Sequence, residues 1–155
     1  MATNTLPDVK QKQKLLFAEE IQPAALSAQA EQFSKVGWYN DAIDFFARAG
    51  DRAGLERMRE RALEEGDVFL FLRCLRALAA EATDDEWHSL GECARKLEKW
   101  QFAREAFRRA GDRKAMEAVE ALIAPVAAQA TAEEPEPENE SESESESEPE
   151  PEPES

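Results

Sequence analysis

Apolar and polar residues are spaced along most of this chain as they are on amphipathic helices. Between Lys10 and Ile123 the apolar residues recur at intervals of three and four, the spacing of one helix face. The pattern predicts eight short helices, near residues 10–21, 24–36, 40–49, 52–65, 68–81, 84–97, 100–110 and 113–123. Segment 68–72, VFLFL, also fits a buried strand, but no other strand is predicted to pair with it. A central, fully buried helix is therefore favoured, and the predicted fold class is all-α.

Glycine and short polar residues separate these helices. Four glycines each close an apolar run, as the left-handed residue after a helix does: Gly37, Gly50, Gly66 and Gly111. Three aspartates follow directly, where a short acidic side chain accepts N–H groups of the next first turn: Asp51, Asp67 and Asp112. Thr83 and Glu86 have the spacing of a capping box.

The pentapeptide RAGDR occurs twice, at residues 48–52 and 109–113. At this offset of 61 residues, segment 31–56 matches the later copy at ten of its 26 positions. Unrelated segments would match at far fewer positions, so the chain contains an internal repeat. In each copy RAGDR is predicted to be the corner between two helices.

Small and aromatic residues occupy equivalent places in the two copies. The later copy has Trp87, Leu90 and Gly91 in its first helix, then Ala103, Phe107 and Ala110 in its second. The earlier copy has Leu26, Ala30 and Phe33, then Ala42, Phe46 and Ala49. This arrangement resembles the tetratricopeptide repeat over residues 23–123.

The resemblance implies a right-handed α-solenoid of about three helix pairs, in which these small residues let paired helices approach and the aromatic residues fill the space between them. Two standard units would lie roughly 68 residues apart. Because the offset here is 61, the middle unit, about residues 51–82, is predicted to be short or irregular. The closing prolines of the family pattern are missing.

Charge divides the chain unevenly. Residues 133–155 contain 12 Glu and no basic residue, so residues 1–132 carry only −3 of the total charge of −15. The predicted organisation is an N-terminal amphipathic extension (1–22), the helical repeat domain (23–123), and a disordered linker with an acidic tail (124–155). Helix 10–21, with Leu15, Leu16 and Phe17, could cap the first unit or form a homodimer contact.

Candidate catalytic chemistry is sparse. His88 has no Ser, Cys or paired carboxylate at a telling spacing, and a surface histidine is the favoured interpretation. Cys74 and Cys93 fit buried, reduced thiols better than a disulfide framework or a metal site. No phosphate-binding loop or HExxH pattern is present. The sequence therefore predicts that the protein is not an enzyme and has no cofactor or metal.

The tetratricopeptide resemblance implies a concave face lined by the first helix of each unit. Residues predicted for that groove are Ser34, Lys35, Trp38, Arg95 and Lys96. Its basic residues could hold an acidic peptide, and Trp38 could anchor it. The alternative, that these are solvated charges beside Glu31, Glu92 and Glu98, is slightly favoured. Arg57, Arg59 and Arg61 lie at alternating positions, so only some can face inward.

These features predict an adaptor or scaffold that binds a protein partner in a helical groove. The alternative is an acidic chaperone for a basic or aggregation-prone client, similar to tetratricopeptide-type secretion chaperones. Nucleic-acid binding is disfavoured because the acidic tail would repel phosphates. No apolar run is long enough to span a membrane and no signal peptide is evident, so a cytoplasmic location is expected. The tail could solubilise the protein, attract basic partners, or fold back on the groove.

Overall fold

The computed structural model describes residues 6–17 and 22–130, with residues 125–130 as helix backbone only. These residues form eight α-helices: α1 Val9–Phe17, α2 Pro23–Lys35, α3 Tyr39–Ala49, α4 Arg52–Glu64, α5 Val68–Leu78, α6 Asp84–Lys96, α7 Trp100–Arg109 and α8 Arg113–Ala130. No strand occurs among the residues described, so the all-α prediction is confirmed. Each helix begins within one residue of its predicted start.

The acidic residues between helices form the predicted caps. Three aspartates each accept a hydrogen bond from an N–H group of the first turn: Asp51 from Gly54 (2.8 Å), Asp67 from Leu70 (2.9 Å) and Asp112 from Ala115 (2.9 Å). The bond from the Gly54 amide is the main reason why the pKa of Asp51 is lowered. Thr83 and Glu86 complete the capping box of α6, with bonds of 2.9 and 3.2 Å. These caps satisfy N–H groups that the helix itself leaves free.

Helices α2 to α7 all end in the same way. The residue after each C-cap, or the cap itself, has a positive φ: Gly37, Gly50, Gly66, Ala79, Glu98 and Gly111. The following residue then donates its N–H back to a carbonyl five positions earlier, as in Asp51 to Phe46 (2.9 Å) and Lys99 to Ala94 (2.9 Å). Such closures satisfy the last carbonyls of a helix. Within each helix pair the two left-handed residues stand 13 positions apart.

The same 13-residue spacing also occurs in a middle helix pair, which lies between the two copies of the repeat. Its left-handed residues are Gly66 and Ala79, and Gly66 follows Gly37 by 29 positions and precedes Glu98 by 32. The middle pair, α4 and α5, is therefore as long as the first pair, and only the connections differ. Counted back from the left-handed residue, Leu55 corresponds to Leu26 and Trp87, and all three are buried.

The middle pair diverges in the size of its contact residues. Arg59 stands where the outer units have Ala30 and Gly91, and Phe71 stands where they have Ala42 and Ala103. Phe71 is fully buried and meets the Trp87 ring edge-on at 5.1 Å between centroids. The middle pair thus has large residues at two positions that are small in both outer units, which removes the identities that a sequence alignment would detect.

The core lies between paired helices. Helix α2 packs on α3, α4 on α5, and α6 on α7, while α8 covers α7. Of the predicted packing residues, nine are buried: Ala30, Phe33, Ala42, Phe46, Trp87, Leu90, Gly91, Ala103 and Phe107. Ala49 and Ala110 are half-buried and pack against the core.

Glycines allow close approaches between neighbouring helices. A Cβ atom on Gly91 would lie 2.7 Å from the Phe107 ring, and one on Gly54 would lie 2.2 Å from the Phe46 ring. Gly91 was among the predicted packing residues, and Gly54 was not. Each glycine therefore makes room for the phenylalanine of a neighbouring helix.

Helix α8 corrects the predicted domain boundary. The sequence placed a linker from residue 124 because an interior proline removes a helix hydrogen bond and usually ends the helix. The structure instead continues α8 through Pro125 to Ala130. The alanines on both sides of the proline have the highest helix propensity of any residue, which favours continuation. The predicted disordered tail, residues 133–155, lies outside the described residues.

Helix α5 was predicted to be fully buried and to end at residue 81. It ends at Leu78, because Ala79 adopts the left-handed conformation (φ 49°) without the glycine that normally signals it. Its residues Val68, Leu70 and Phe71 are buried, but Phe69 is 68% exposed. Helix α5 therefore has an outer face.

Candidate functional site: grooves between the helix pairs

The predicted groove residues lie at the C-terminal ends of two helices. Ser34 and Lys35 end α2, and Arg95 and Lys96 end α6. Ser34 is half-buried, and the three basic residues are exposed. Among the described residues, no hydrogen bond or ion pair joins the α2 residues to the α6 residues. The proposal that the α2 and α6 residues form one groove therefore stays a prediction.

Ion pairs already occupy much of the basic surface on α2, α4 and α6. From α4, Arg57 bonds Glu31 of α2, and Arg59 bonds Glu86 of α6. Residues two apart point to opposite sides of a helix, so these two arginines tie α4 to both neighbours. Arg95 pairs with Glu92 at 2.7 Å, which raises the pKa of Arg95.

The net charge of these three helices is also unfavourable for an acidic ligand. They carry seven basic and eight acidic residues, a net charge of −1. Arg61, the third arginine of the series in α4, bonds the Tyr39 hydroxyl at 3.2 Å and Glu65 at 2.8 Å. The hydrogen bond to Tyr39 is the main cause of its raised pKa. All three arginines of the series are thus engaged within the chain.

Trp38 lies beside α1. It is 46% exposed, and one face of its ring stacks on buried Phe33 at 5.8 Å between centroids. The Lys12 ammonium of α1 lies 5.4 Å from the Trp38 ring and 2.8 Å from Asp41. Lys12, Trp38 and Asp41 line a cavity of about 380 Å³ together with Gly37, Tyr39 and Asn40. Part of the predicted anchor is therefore covered by the N-terminal helix.

Helix α1 packs on α3 and covers the first helix pair. Leu15 and Leu16 are half-buried against the core, and the Leu16 carbonyl accepts a bond from Arg48 Nε at 2.9 Å. Phe17, which was grouped with them, is 80% exposed. These contacts support the alternative in which α1 caps the first unit. The predicted end of this helix, residue 21, lies outside the described residues.

A small cavity separates α6 from α8. It measures about 290 Å³ and contains one of the predicted groove residues, Arg95, with Glu92 beside it. Its other lining residues are Asp112, Lys114, Ala115 and Ala118. Acidic and basic side chains are balanced around this cavity, so it has no charge preference of its own.

The groove between α3 and α5 has a different composition. It measures about 450 Å³ and is lined by Ile43, Asp44, Ala47, Arg73, Arg76 and Ala77, which define the α3/α5 groove below. Ala47 and Ala77 also line an adjoining cavity that reaches Arg52 of α4. Alanines thus form a shallow apolar floor, and arginines stand along the rim.

The rim arginines differ in their partners. Arg73 bonds Asp44 at 2.5 Å and the Asn40 side-chain oxygen at 3.0 Å. Arg76 is exposed, and in the described part of the chain it has no ion-pair partner. A guanidinium presents a planar fork of donors that matches a carboxylate. Arg76 therefore offers an unused carboxylate-binding group beside an apolar floor.

The charge of the surrounding helices reinforces this preference. Helices α3, α5 and α7 carry six arginines and three carboxylates, a net charge of +3. Helix α5 has two arginines and no acidic residue. An acidic ligand is therefore attracted more strongly to these helices than to α2, α4 and α6.

The α3/α5 groove was not predicted from the sequence, because α5 was expected to be buried on all sides. One signal was available, since Arg73 and Arg76 are three positions apart and must share a helix face. That face cannot be part of an apolar core. What the sequence does not reveal is that α3, rather than another helix, lies beside it.

His88 and the cysteines have structural surroundings. The His88 Nδ1 lies 3.1 Å from Asp112, and its ring packs on Phe107. Both cysteines are free thiols; Cys74 is fully buried, and Cys93 is half-buried rather than buried as predicted. Burial raises the pKa of the Cys74 thiol to about 12. Within the described residues, no group of three or more His, Cys, Asp or Glu side chains could hold a metal ion.

Thiol labelling is expected to separate the two cysteines. Because the thiolate is the reacting species, Cys93 of the folded chain should react with a disulfide reagent while Cys74 stays unmodified until unfolding. Reaction can be followed by absorbance with and without denaturant. In Cys93→Ser no thiol should react before unfolding; a rapidly reacting thiol in that variant would contradict the burial of Cys74.

Comparison of the chain with protein-family models, curated proteins and solved structures finds no match. In the described part of the chain, no helix has both the length and the apolar character needed to cross a membrane.

Proposed function

We propose that this chain is a non-catalytic protein-binding module, an adaptor or scaffold, and that its α3/α5 groove holds an acidic peptide or helix of a protein partner. The observation that supports this most directly is Arg76, an exposed arginine without an ion-pair partner in the described residues, above an alanine floor. The three helix pairs are tetratricopeptide-like units of a right-handed α-solenoid in this proposal. Their common 13-residue spacing supports it.

The groove combines the two contributions that peptide recognition requires. The alanine floor allows close approach of an apolar side chain, which supplies affinity. The arginine rim fixes the position of carboxylates through charge-assisted hydrogen bonds. The surface of α2, α4 and α6 is the weaker candidate, because its arginines Arg57, Arg59 and Arg95 are already paired with glutamates.

The acidic tail supports a second candidate function. With 12 Glu and no basic residue in residues 133–155, it could hold a basic client in the manner of a chaperone. Such binding is dominated by long-range attraction and weakens steeply with salt. Binding in the α3/α5 groove includes apolar contacts and should survive moderate salt better.

Affinity capture from the native lysate tests the proposal. The full chain would be compared with two doubly neutralised variants that lose the same charge, Arg73→Gln/Arg76→Gln and Lys35→Gln/Lys96→Gln, and bound proteins would be identified by mass spectrometry. We expect a partner that the lysine variant retains and the arginine variant loses. Circular dichroism of both variants controls for folding.

Two other outcomes would reject this assignment. Loss of the partner only in the lysine variant would assign recognition to the α2 and α6 ends instead. A basic protein that both variants retain, and that moderate salt removes, would support the chaperone function. A cytoplasmic location and a homodimer contact stay predictions.

A further inference from the structure

We infer that the acidic tail, residues 133–155, docks along the outer face of α5 and competes with the partner for the α3/α5 groove. This inference rests on the function proposed above and adds a regulatory element to it. Three features of the chain support it: the order of side chains on α5, the composition of the tail, and the distance the tail must cover.

The outer face of α5 presents an aromatic residue followed by two arginines. Phe69, Arg73 and Arg76 follow one another at intervals of four and three residues, so they lie on one helix face. Phe69 is 68% exposed and meets Phe102 of α7 edge-on at 5.4 Å between centroids. This aromatic pair between α5 and α7 thus includes a residue of the helix face that carries the groove arginines. A ligand lying along α5 would therefore meet aromatic surface first and guanidinium groups next.

The tail has the complementary composition. Glu and Pro alternate at residues 134–138 and again at 148–154, around a central Glu–Ser segment. Proline-rich segments are commonly recognised on exposed aromatic side chains, and the glutamates can pair with arginine. The tail lacks basic residues that could pair with its own glutamates.

The tail is also long enough to reach this surface. Helix α8 ends at Ala130 and packs on α7, which in turn contacts α5. Two helix spacings correspond to roughly 20 Å, and the 18-residue α8 adds at most roughly 27 Å along its axis. An extended segment of 25 residues spans up to roughly 80 Å. A segment tethered this way reaches an effective concentration in the millimolar range. Weak contacts are therefore sufficient for it to compete.

A spin label on the tail of the full chain tests this inference. Ser147→Cys in a Cys93→Ser background gives one accessible thiol, because Cys74 is fully buried. With the label attached, we expect the amide signals of Ala47 and of residues 69–77 to lose most of their intensity in NMR spectra. Reducing the label should restore them. High salt should also restore them, because it screens the attraction.

The two charge-matched variants distinguish specific docking from general attraction. Arg73→Gln/Arg76→Gln should abolish the broadening on α5, and Lys35→Gln/Lys96→Gln should leave it unchanged. Broadening at the ends of α2 and α6, equal broadening in both variants, or no broadening at all would each overturn the inference. None of these outcomes affects the proposed partner site, which the capture experiment tests separately.

Discussion

Replacing Gly66 by alanine is expected to lower the free energy of unfolding by about 3 kcal/mol. The left-handed conformation of this residue (φ +59°) accounts for about 1 kcal/mol of the effect, because a Cβ atom is strained there. The remainder comes from overpacking, since the new Cβ would lie 2.5 Å from the Cα and 2.6 Å from the N of Ala94. Those are backbone atoms of α6, so no side-chain rotation can relieve the contact.

Gly50 provides the matched control for this substitution. It has a similar φ of +67°, but nothing lies within 4 Å of a Cβ atom built on it. Gly50→Ala should therefore show only the conformational effect, about 1 kcal/mol. Urea denaturation followed by circular dichroism measures both variants. Equal destabilisation by the two substitutions would contradict the close contact between the α4–α5 corner and α6.

Replacing Phe107 by alanine is expected to destabilise the protein by roughly 4 kcal/mol. The Phe107 side chain is fully buried in a cluster with Ala94, Ala103 and Val119, so its removal leaves a cavity. The surrounding alanines are too short to fill that cavity. Its position also faces Gly91, which has no side chain to move into the space.

Phe69→Ala serves as the control for the loss of a phenyl ring. Because Phe69 is 68% exposed and has one aromatic neighbour, its removal should change stability by less than about 1 kcal/mol. The same denaturation experiment compares the two variants. A small effect for Phe107→Ala, or an equally large one for Phe69→Ala, would contradict the assignment of inner and outer faces.

The helix corners could be predicted from the sequence because local chemistry determines them. Glycine followed by aspartate supplies a left-handed residue and a cap within two positions, as at Gly50 and Asp51. Ala79 and Glu98 perform the same backbone role without that signal. A residue with a Cβ atom costs roughly 1–2 kcal/mol in this conformation, so the rest of the fold must hold it there, and the sequence pattern does not express that constraint.

The candidate site could be predicted only in part. Trp38 aligns with the polar Lys99 at the 61-residue offset, so its exposure can be inferred from a single position. The α3/α5 groove depends on residues about 30 positions apart in helices that are not consecutive. Bringing them together requires knowledge of how one helix pair stacks on the next, and neither periodicity nor spacing provides it.

The central claim, that the α3/α5 groove recognises acidic protein segments, is tested most directly by mapping where such a segment binds. The probe would be a synthetic peptide with one leucine followed by glutamates four and seven residues later, titrated into the isotope-labelled full chain and followed by NMR. A peptide with glutamine in place of glutamate controls for charge. We predict that amide shifts of Ala47, Arg73, Arg76 and Ala77 change with the acidic peptide alone. Changes confined to Ser34, Lys35, Arg95 and Lys96, or identical changes with the glutamine peptide, would contradict the claim.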